Sequence, residues 1–442
     1  MLRMRKFEFF MLALVLLCGG NLLADEKLPM RLTMREAVTI SLKQNPEIQI
    51  SNLNVAQSEQ DRAIARSALL PQASLETLDR ATRRNLEAFI GTRLPGMSQH
   101  AGPFQTFQGG TAFSIPVFDL TLWWRFEAAR QGVKTSQAQD VSVREQMTLL
   151  VVSQYLGSLR AAADVRAAQS RVRLAQELYD QAVELQKQGV GTGMDTLRAN
   201  VQLQNEKQTL IVAETQYKTG LHGVVRLLNL DPRQTIELSD EISFFETPEF
   251  QADQSLERAL ATRPEMKALV SRELTASLQK KAASASRLPK VNVDGGWAYQ
   301  GLSLGSSIPS YQYQVAVEVP LFTGGQIQAE NAKANLELKK IAQEKQDLTN
   351  QIALEVNTAI DQLESARHEV QVANLNVKLA EQEVGQARER FKAGVASNIE
   401  VTSAQDSLAR ANHNQVEALY RYNQARADLA RAIGQIEDLY AR

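Results

Sequence analysis

The segment from 311 to 322 reads YQYQVAVEVPLF and alternates between two kinds of side chain. Tyrosine, valine and leucine occupy its odd positions, whereas glutamine, alanine and glutamate occupy the even positions as far as Glu318. Strict alternation predicts a β-strand whose two faces meet different environments. Similar but less regular patterns predict three further strands, at about 72–80, 106–118 and 290–300.

The apolar faces of these strands admit two interpretations. They pack on protein in a small soluble sheet, or they face lipid in a membrane barrel whose inner side is small and polar and whose rim carries aromatic residues. The strand pattern fits both interpretations. Under the membrane interpretation the lipid-facing residues are Tyr311, Tyr313, Val315, Val317, Val319 and Trp297.

The membrane interpretation makes a demand on assembly. Beyond the first 24 residues no stretch approaches twenty apolar residues, so the sequence predicts no transmembrane helix. A membrane crossing then requires a closed β-barrel, in which every backbone group is paired. Four strands are too few to enclose a lumen, so several copies of the chain must contribute strands.

A second pattern, with apolar residues at alternating steps of four and three, runs from Ile352 to Phe391. This heptad repeat predicts a left-handed coiled coil. One seam position is always alanine, and such small side chains allow two helices to pack closely. The seam alanines are Ala359, Ala366, Ala373, Ala380 and Ala387, then Ala404, Ala411, Ala418, Ala425 and Ala432, with Ala161, Ala168, Ala175 and Ala182 in the first half.

Proline placement permits very long helices around glycine-containing turns. No proline lies between Pro116 and Pro232 or after Pro320, and a proline inside a helix costs about 3 kcal/mol. The sequence therefore predicts two helical hairpins. They span 120–230 and 325–434, with tips at 189–193 and 394–398.

The two halves of the chain carry the same landmarks in the same order, which indicates an internal duplication. Pro46 lies 25 residues before Pro71, and Pro264 lies 25 residues before Pro289. The distance from the later proline to the tip glycine is 73 residues in the first half and 74 in the second. The predicted organisation is an N-terminal segment at 25–45, repeat 1 at 46–230, an inter-repeat segment at 231–254, repeat 2 at 255–434 and a tail at 435–442.

The first 24 residues predict a secretory signal peptide. A basic start precedes an apolar stretch, and Ala24 provides a small residue suited to cleavage. A short membrane anchor is the alternative, although the apolar run is too short to span a bilayer comfortably. The only cysteine, Cys18, lies in this segment; the large Leu17 before it disfavours lipidation without excluding it.

Composition narrows the functional classes. The net charge of −1 gives no bulk attraction to nucleic acid or to an anionic membrane surface. The four histidines are scattered, and the H-E-x-x-H, G-x-S-x-G and P-loop motifs are absent from the sequence. We therefore expect no enzymatic activity, no cofactor and no metal site.

Together, the signal segment, the duplicated unit, the two strands per half and the alanine-seamed hairpins resemble the TolC-like outer-membrane efflux proteins. A leucine-proline pair before each first strand adds to the resemblance, which covers essentially the whole chain after the signal segment. The resemblance implies an all-α coiled-coil helical barrel joined to a transmembrane β-barrel, closed by a homotrimer with twelve strands. It also implies an outer-membrane protein that extends into the periplasm and contacts lipid, with a periplasmic adaptor (a membrane fusion protein) and an inner-membrane transporter as partners.

The resemblance also implies roles for individual residues. Gly189 and Val190 match one adaptor-contacting tip, and Gly394 and Val395 match the other. Ring-forming acidic residues of the family fall here on Glu400 and on Ser403, which has no charge. A third constriction candidate is Asp195, and the family's basic residue near the tip is Ala396 here. The junction between barrel and tunnel is expected at Pro71, Pro116, Pro289 and Pro320.

Two functions from different classes follow from these patterns. One is a trimeric outer-membrane channel of a tripartite efflux or type I secretion system. The other is a soluble periplasmic coiled-coil adaptor or scaffold whose strands form a small packed domain. The amphipathic strands in both halves favour the channel, and the sequence leaves the exported substrate open.

Overall fold

The computed structural model describes residues 29–93, 95–244, 250–393, 395 and 398–441. The predicted signal peptide with Cys18 lies outside the described residues, as do Gly394 and Ala396 at the second predicted tip. Residues 245–249 of the predicted inter-repeat segment are also outside them.

The first half of the chain forms a short helix, a longer helix, a strand pair and two long helices. These elements are α1 (Met34–Gln44), α2 (Pro46–Ser67), β2 (Gln72–Asn85), the short α3 (Leu86–Ile90), β3 (His100–Phe118), α4 (Leu120–Lys187) and α5 (Gly193–Leu227).

The second half repeats this order almost residue for residue. Its elements are α6 (Ala252–Thr262), α7 (Pro264–Ala285), β5 (Lys290–Gly301), a short 3-10 turn (Leu304–Ser306), β6 (Ile308–Glu318), α8 (Gln326–Lys392) and α9 (Asn398–Ala432), followed by α10 (Ile436–Tyr440). The matching helices have 11 and 11, 22 and 22, 68 and 67, and 35 and 35 residues. Equal lengths in equal order support the predicted duplication.

Local sequence explains where the helices of the first half begin. Thr33 and Glu36 form a reciprocal capping box at the start of α1. Asn45 caps α2 with its side chain, and Pro46 occupies the first helical position, where its missing N–H costs nothing. Asp119 Oδ1 accepts hydrogen bonds from the backbone N–H of Thr121 at 2.8 Å, which starts α4.

The long helices pack as two hairpins, one in each half. Helix α4 packs along α5 and also contacts α2, α7 and α9, while α8 packs along α9 and contacts α6 and α7. At about 1.5 Å per residue, the 68 residues of α4 extend for about 100 Å. Among the described residues, no helix combines the length and the apolar character that a membrane span needs.

The predicted alanine seam is the contact surface of the second hairpin. From Ile352 to Ala387, every predicted seam position is buried. The facing alanines of α9, from Ala404 to Ala432 at steps of seven, are buried as well. In the first hairpin Ala168 and Ala175 are buried, whereas Ala161 and Ala182 are only partly covered.

The four long strands form one antiparallel sheet in the order β2-β3-β5-β6. Strand β6 starts at Ile308 and ends at Glu318, so the predicted range of 311–322 was too late at both ends. The strand ends there because Pro320 has no N–H to offer a ladder. Strands β2 and β3 are longer than predicted, since they remain paired as far as Asn85 and His100.

A small parallel ladder joins the start of the described chain to the inter-repeat segment. Strand β1 (Met30–Leu32) pairs with β4 (Ile236–Leu238). The hydroxyl of Tyr155 on α4 donates to the Leu32 carbonyl at 2.8 Å and lies 2.9 Å from Asp240 Oδ2. These buried hydrogen bonds hold the inter-repeat segment against the middle of the first hairpin.

Candidate functional site

The sheet has one apolar face, and its side chains are exposed in the single chain. The register aligns Val291 with Val317, Val293 with Val315 and Trp297 with Tyr311. Tyr311 is 75% exposed and Val317 is 63% exposed. The six residues predicted to face lipid, Tyr311, Tyr313, Val315, Val317, Val319 and Trp297, are all exposed; Val319 lies just beyond the end of β6.

Aromatic rings cluster on one part of this apolar face. The Trp297 and Tyr299 ring centroids are 5.0 Å apart, and those of Tyr311 and Tyr313 are 5.8 Å apart. Phe113 on β3 lies 5.9 Å from the Tyr313 ring. Rings with polar tips suit the boundary between an apolar layer and water.

The opposite face of the sheet is polar and lines a groove of about 690 Å³. The register places Gln72, Ser114, Asp294 and Gln314 in one row across the four strands. At Gly110 the strands approach so closely that an added Cβ would overlap the backbone of Ala298. Glycine at such a position permits sheet curvature, and the polar face is the side that would meet water.

The four predicted junction prolines lie where the sheet meets the helices. Pro71 and Pro289 directly precede β2 and β5, and Pro320 follows β6 before α8 begins. Pro116 lies within β3 at a register shift between Pro116 and Phe118. A strand accommodates proline at its first residue or at a bulge, because neither position needs the missing N–H.

The first hairpin tip closes through a helix C-terminal motif. Gly189 adopts a φ of 77°, a left-handed conformation that glycine takes without strain. The backbone N–H of Val190 donates to the Leu185 carbonyl at 3.0 Å, and that of Gly189 donates to Gln186 at 3.0 Å. This pair of hydrogen bonds is the Schellman arrangement and leaves Val190 77% exposed at the tip.

Asp195, the predicted constriction residue of this tip, serves as a helix cap. Its carboxylate accepts hydrogen bonds from the Thr192 backbone N–H at 3.2 Å and from the Thr192 hydroxyl at 2.6 Å. The hydroxyl bond, followed by the backbone bond, lowers the pKa of Asp195. The residue is therefore ionised and exposed at the start of α5.

The second tip repeats the backbone pattern. The Val395 N–H donates to the Arg390 carbonyl at 3.0 Å, and Val395 is 67% exposed. Glu400, the third residue of α9, forms an ion pair with Arg390 of α8, with Nε and Oε1 3.0 Å apart. Ser403 is exposed one turn further along α9.

Arg390 is a residue that sequence reasoning missed. The prediction considered the charge of Glu400 but not its partner across the turn. A basic residue ten positions earlier carries no distinctive signal in a helix rich in charges. The pairing becomes visible only once the tip geometry brings the two helices together.

A buried ionic cluster near the middle of the hairpins was also missed. Arg431 of α9 pairs with Glu265 of α7 and lies 3.4 Å from Glu145 of α4. Arg263 pairs with Glu265 at 3.4 Å and with Glu355 of α8. The cluster joins four helices from both repeats, so separations of roughly a hundred residues or more hide it in the sequence.

The two buried carboxylates have opposite protonation tendencies. Burial raises the pKa of Glu145 to about 7, against the attraction of Arg431. Burial acts on Glu265 in the same direction, but the charge and hydrogen bond of Arg431 outweigh it and lower the pKa of Glu265 to about 2. Glu265 is therefore the charged partner of Arg431 at neutral pH.

Curated relatives match this chain over most of their length. The alkaline protease secretion protein AprF of Pseudomonas aeruginosa is 23% identical over 96% of this chain and 88% of its own length. The outer membrane efflux protein BepC of Brucella suis is 24% identical over 92% of this chain and 88% of its own. The pyoverdine export outer membrane protein OpmQ of Pseudomonas putida is 22% identical, over 90% of this chain and 85% of its own.

Solved structures share the fold. The Campylobacter jejuni CmeC outer membrane channel superposes with a TM-score of 0.78 at 17% identity, covering 91% of this chain and 86% of that one. The Vibrio cholerae outer membrane protein VceC gives a TM-score of 0.76 at 16% identity, covering 91% and 96%. The family model for outer membrane efflux proteins matches residues 38–230 and 255–435, one segment for each repeat. The chain therefore belongs to the outer membrane efflux protein family.

Proposed function

We propose that this protein is a trimeric outer-membrane channel of a tripartite efflux or type I secretion system. As a member of the outer membrane efflux proteins, the chain is a protein of the outer membrane. Three copies would contribute twelve strands to a barrel in that membrane and twelve long helical segments to a tunnel through the periplasm. Substrates would pass from an inner-membrane pump through this tunnel to the exterior.

The two-faced sheet is the observation that carries the proposal. Its apolar face is exposed over at least four successive cross-strand rows, from Val317 to Tyr311, and its polar face lines a groove. A single chain leaves β2 and β6 as open edges of this sheet. Joining the β6 edge of one copy to the β2 edge of the next closes the sheet and turns the polar face inward.

The hairpin tips supply the proposed docking and gating region. Val190 and Val395 project from the two tips and would contact a periplasmic adaptor. Three copies of Glu400, with Asp195, would surround the narrow end of the tunnel, and converging carboxylates favour cations. Ser403 would leave that second ring uncharged.

The relatives support export as the activity. Their names describe secretion of a protease, export of a siderophore and efflux, which differ in cargo. Partners common to such systems are a periplasmic adaptor and an inner-membrane transporter, and we propose the same kinds of partner here. Transport through a channel requires no catalytic residue, so we propose that the chain is not an enzyme.

Conductance in a planar lipid bilayer tests the proposal. The full chain, purified from outer membranes in mild detergent, is expected to insert and give discrete, uniform conductance steps. A chain that leaves the bilayer silent and remains dispersed without detergent would contradict the channel. That outcome would instead support a soluble periplasmic coiled-coil adaptor or scaffold.

A further inference from the structure

The β2-β3 hairpin extends beyond the four-stranded sheet as a two-stranded ribbon. Pairing of β3 with β5 ends at Phe107 opposite Gly301, whereas β2 and β3 remain paired as far as Asn85 and His100. The ribbon therefore projects seven residues further, which is about 24 Å of strand. It lies at the end of the sheet opposite the helices.

The ribbon and its loop carry three arginines, Arg83, Arg84 and Arg93, which we call the arginine patch. All three side chains belong to exposed residues. Within the described residues none of the three forms an ion pair, unlike Arg272, whose guanidinium holds both Glu337 and Glu344. The positive charge of the patch is therefore available to a ligand.

The surroundings of the patch are poor in acidic residues. Between Arg83 and His100 the sequence contains one carboxylate, Glu87. Asp79, further down the ribbon, accepts a hydrogen bond from Gln105 Nε2 at 2.6 Å. The loop of the other hairpin, 302–307, contains no charged residue at all. The excess positive charge at this end of the sheet is thus a property of the ribbon, although the whole chain has a net charge of −1.

Apolar side chains accompany the arginines. The short helix α3 exposes Phe89 to 77%, and Met97 is exposed in the same loop. Basic residues beside exposed apolar residues are typical of surfaces that rest on anionic lipid headgroups. An exposed aromatic ring also suits the apolar face of a sugar.

The height of the patch identifies which anions it can meet. The aromatic residues Trp297 and Tyr299 pair with Thr111 and Gly109 and mark the outer part of the apolar face. Arg83 lies six residues beyond Thr77, the β2 residue in the Tyr299 row, which is about 20 Å along the strand. Strands in barrels tilt by about 40°, so the patch would stand roughly 15 Å above the aromatic row.

We propose that the arginine patch binds the phosphate groups of the glycolipid that forms the outer leaflet of the outer membrane. The inference rests on the proposed function, which sets the orientation of the sheet. Guanidinium groups bind phosphate oxygens through two parallel hydrogen bonds, which is stronger and more specific than a point charge. Three copies of the patch would surround the extracellular mouth and anchor it in the phosphorylated sugar layer.

Glycolipid titration of the full assembly tests this proposal. Labelled rough-type lipopolysaccharide is titrated into the detergent-solubilised protein carrying Arg83→Gln, Arg84→Gln and Arg93→Gln together. We expect its apparent Kd to rise about tenfold or more relative to the unsubstituted protein. The matched control carries Arg35→Gln, Arg62→Gln and Arg66→Gln in α1 and α2, and we expect no change from it.

Two further ligands separate the source of the phosphate. Lipopolysaccharide dephosphorylated with hydrofluoric acid is expected to bind the unsubstituted protein about as weakly as the intact glycolipid binds the patch variant. Millimolar inorganic phosphate is expected not to displace the glycolipid. Equal binding of the dephosphorylated glycolipid, or unchanged binding by the patch variant, would overturn the proposal.

Assembly mass and conductance are recorded on the same samples. Normal trimers with normal conductance and unchanged glycolipid binding in the patch variant would defeat the glycolipid proposal alone. An unsubstituted protein that neither trimerises nor conducts would defeat the proposed channel and the orientation on which this inference depends.

Discussion

At the scale of single residues, Glu145 is the charged group with the least favourable surroundings. Its side chain is 7% exposed, and its nearest cation, Arg431, is already engaged by Glu265. A carboxylate buried without its own strong partner costs free energy when ionised. Its pKa of about 7 therefore makes the stability of the helical region depend on pH.

We expect Glu145 to destabilise the protein increasingly as pH rises from about 4.5 to about 7. A folded-state pKa above the unfolded value means that the folded state binds the proton more tightly, so the penalty is absent below pH 4.5 and complete above pH 7. The cost is on the order of 2–3 kcal/mol. Glu145→Gln should raise the thermal midpoint at pH 8 and change it little at pH 4.5.

Thermal unfolding at several pH values measures this effect. Glu257→Gln, at an exposed position of α6, is the matched control and should shift the midpoint equally little at every pH. A difference between Glu145→Gln and the unsubstituted protein that stays constant from pH 4.5 to pH 8 would show that Glu145 titrates normally.

The ion pair between Arg390 and Glu400 sets the charge of the proposed constriction. Both side chains are about half exposed, and such pairs contribute about 1 kcal/mol or less to stability. Arg390→Gln should therefore leave the fold intact while releasing the negative charge of Glu400. We expect increased cation selectivity, measured as a shifted reversal potential across a KCl gradient.

Two variants control this measurement. Arg388→Gln removes a neighbouring exposed arginine and should leave selectivity unchanged. The double variant Arg390→Gln with Glu400→Gln should lose the gain in cation selectivity. If Arg390→Gln alone behaves like the unsubstituted channel, Glu400 does not face the conduction path.

At the scale of elements, strand β6 carries the sharpest prediction about the membrane. Val317→Lys should destabilise the assembled barrel by about 2–4 kcal/mol if Val317 faces the middle of the lipid layer. Gln314→Lys on the polar face of the same strand should be tolerated, because that face meets water. Heat stability of the assembly on gels and its yield in outer membranes report the difference.

Equal yields and equal heat stability for the two lysine variants would mean that the apolar face does not contact lipid. The two substitutions add the same side chain to the same strand three residues apart, so they separate the effect of the face from that of the charge.

The alanine seam predicts that size matters at one face of α8. Ala373 is buried against α9, and Ala373→Leu should destabilise the hairpin by about 1–3 kcal/mol through overpacking. Ala342→Leu, at an exposed position of the same helix, should cost less than 1 kcal/mol. Thermal unfolding compares them, and equal costs would contradict close packing at the seam.

The same elements show what the sequence could predict and what it could not. Periodicity predicted the seam from Ile352 onward and the two faces of the strands, because each repeats every few residues. The extension of β2 to Asn85 was missed since DRATRRN lacks alternation and is stabilised by pairing with β3. The Arg263 and Arg431 cluster was missed because it depends on contacts between distant helices.

At the scale of the whole molecule, duplication explains the architecture. Helix pairs of matching length place the two sheet halves side by side, and β3 of repeat 1 pairs with β5 of repeat 2. The described chain is thus a pseudo-symmetric wedge with two open sheet edges and exposed apolar strands. Such a surface is stable only when lipid and further copies of the chain cover it.

The proposed trimer is therefore tested most directly by mass. Light scattering of the mature chain in mild detergent, corrected for bound detergent, should give three times the mass of one chain, and removal of the detergent should cause aggregation. A dispersed monomer that needs no detergent would contradict the account, because the face from Tyr311 to Val317 would then be covered by something other than lipid.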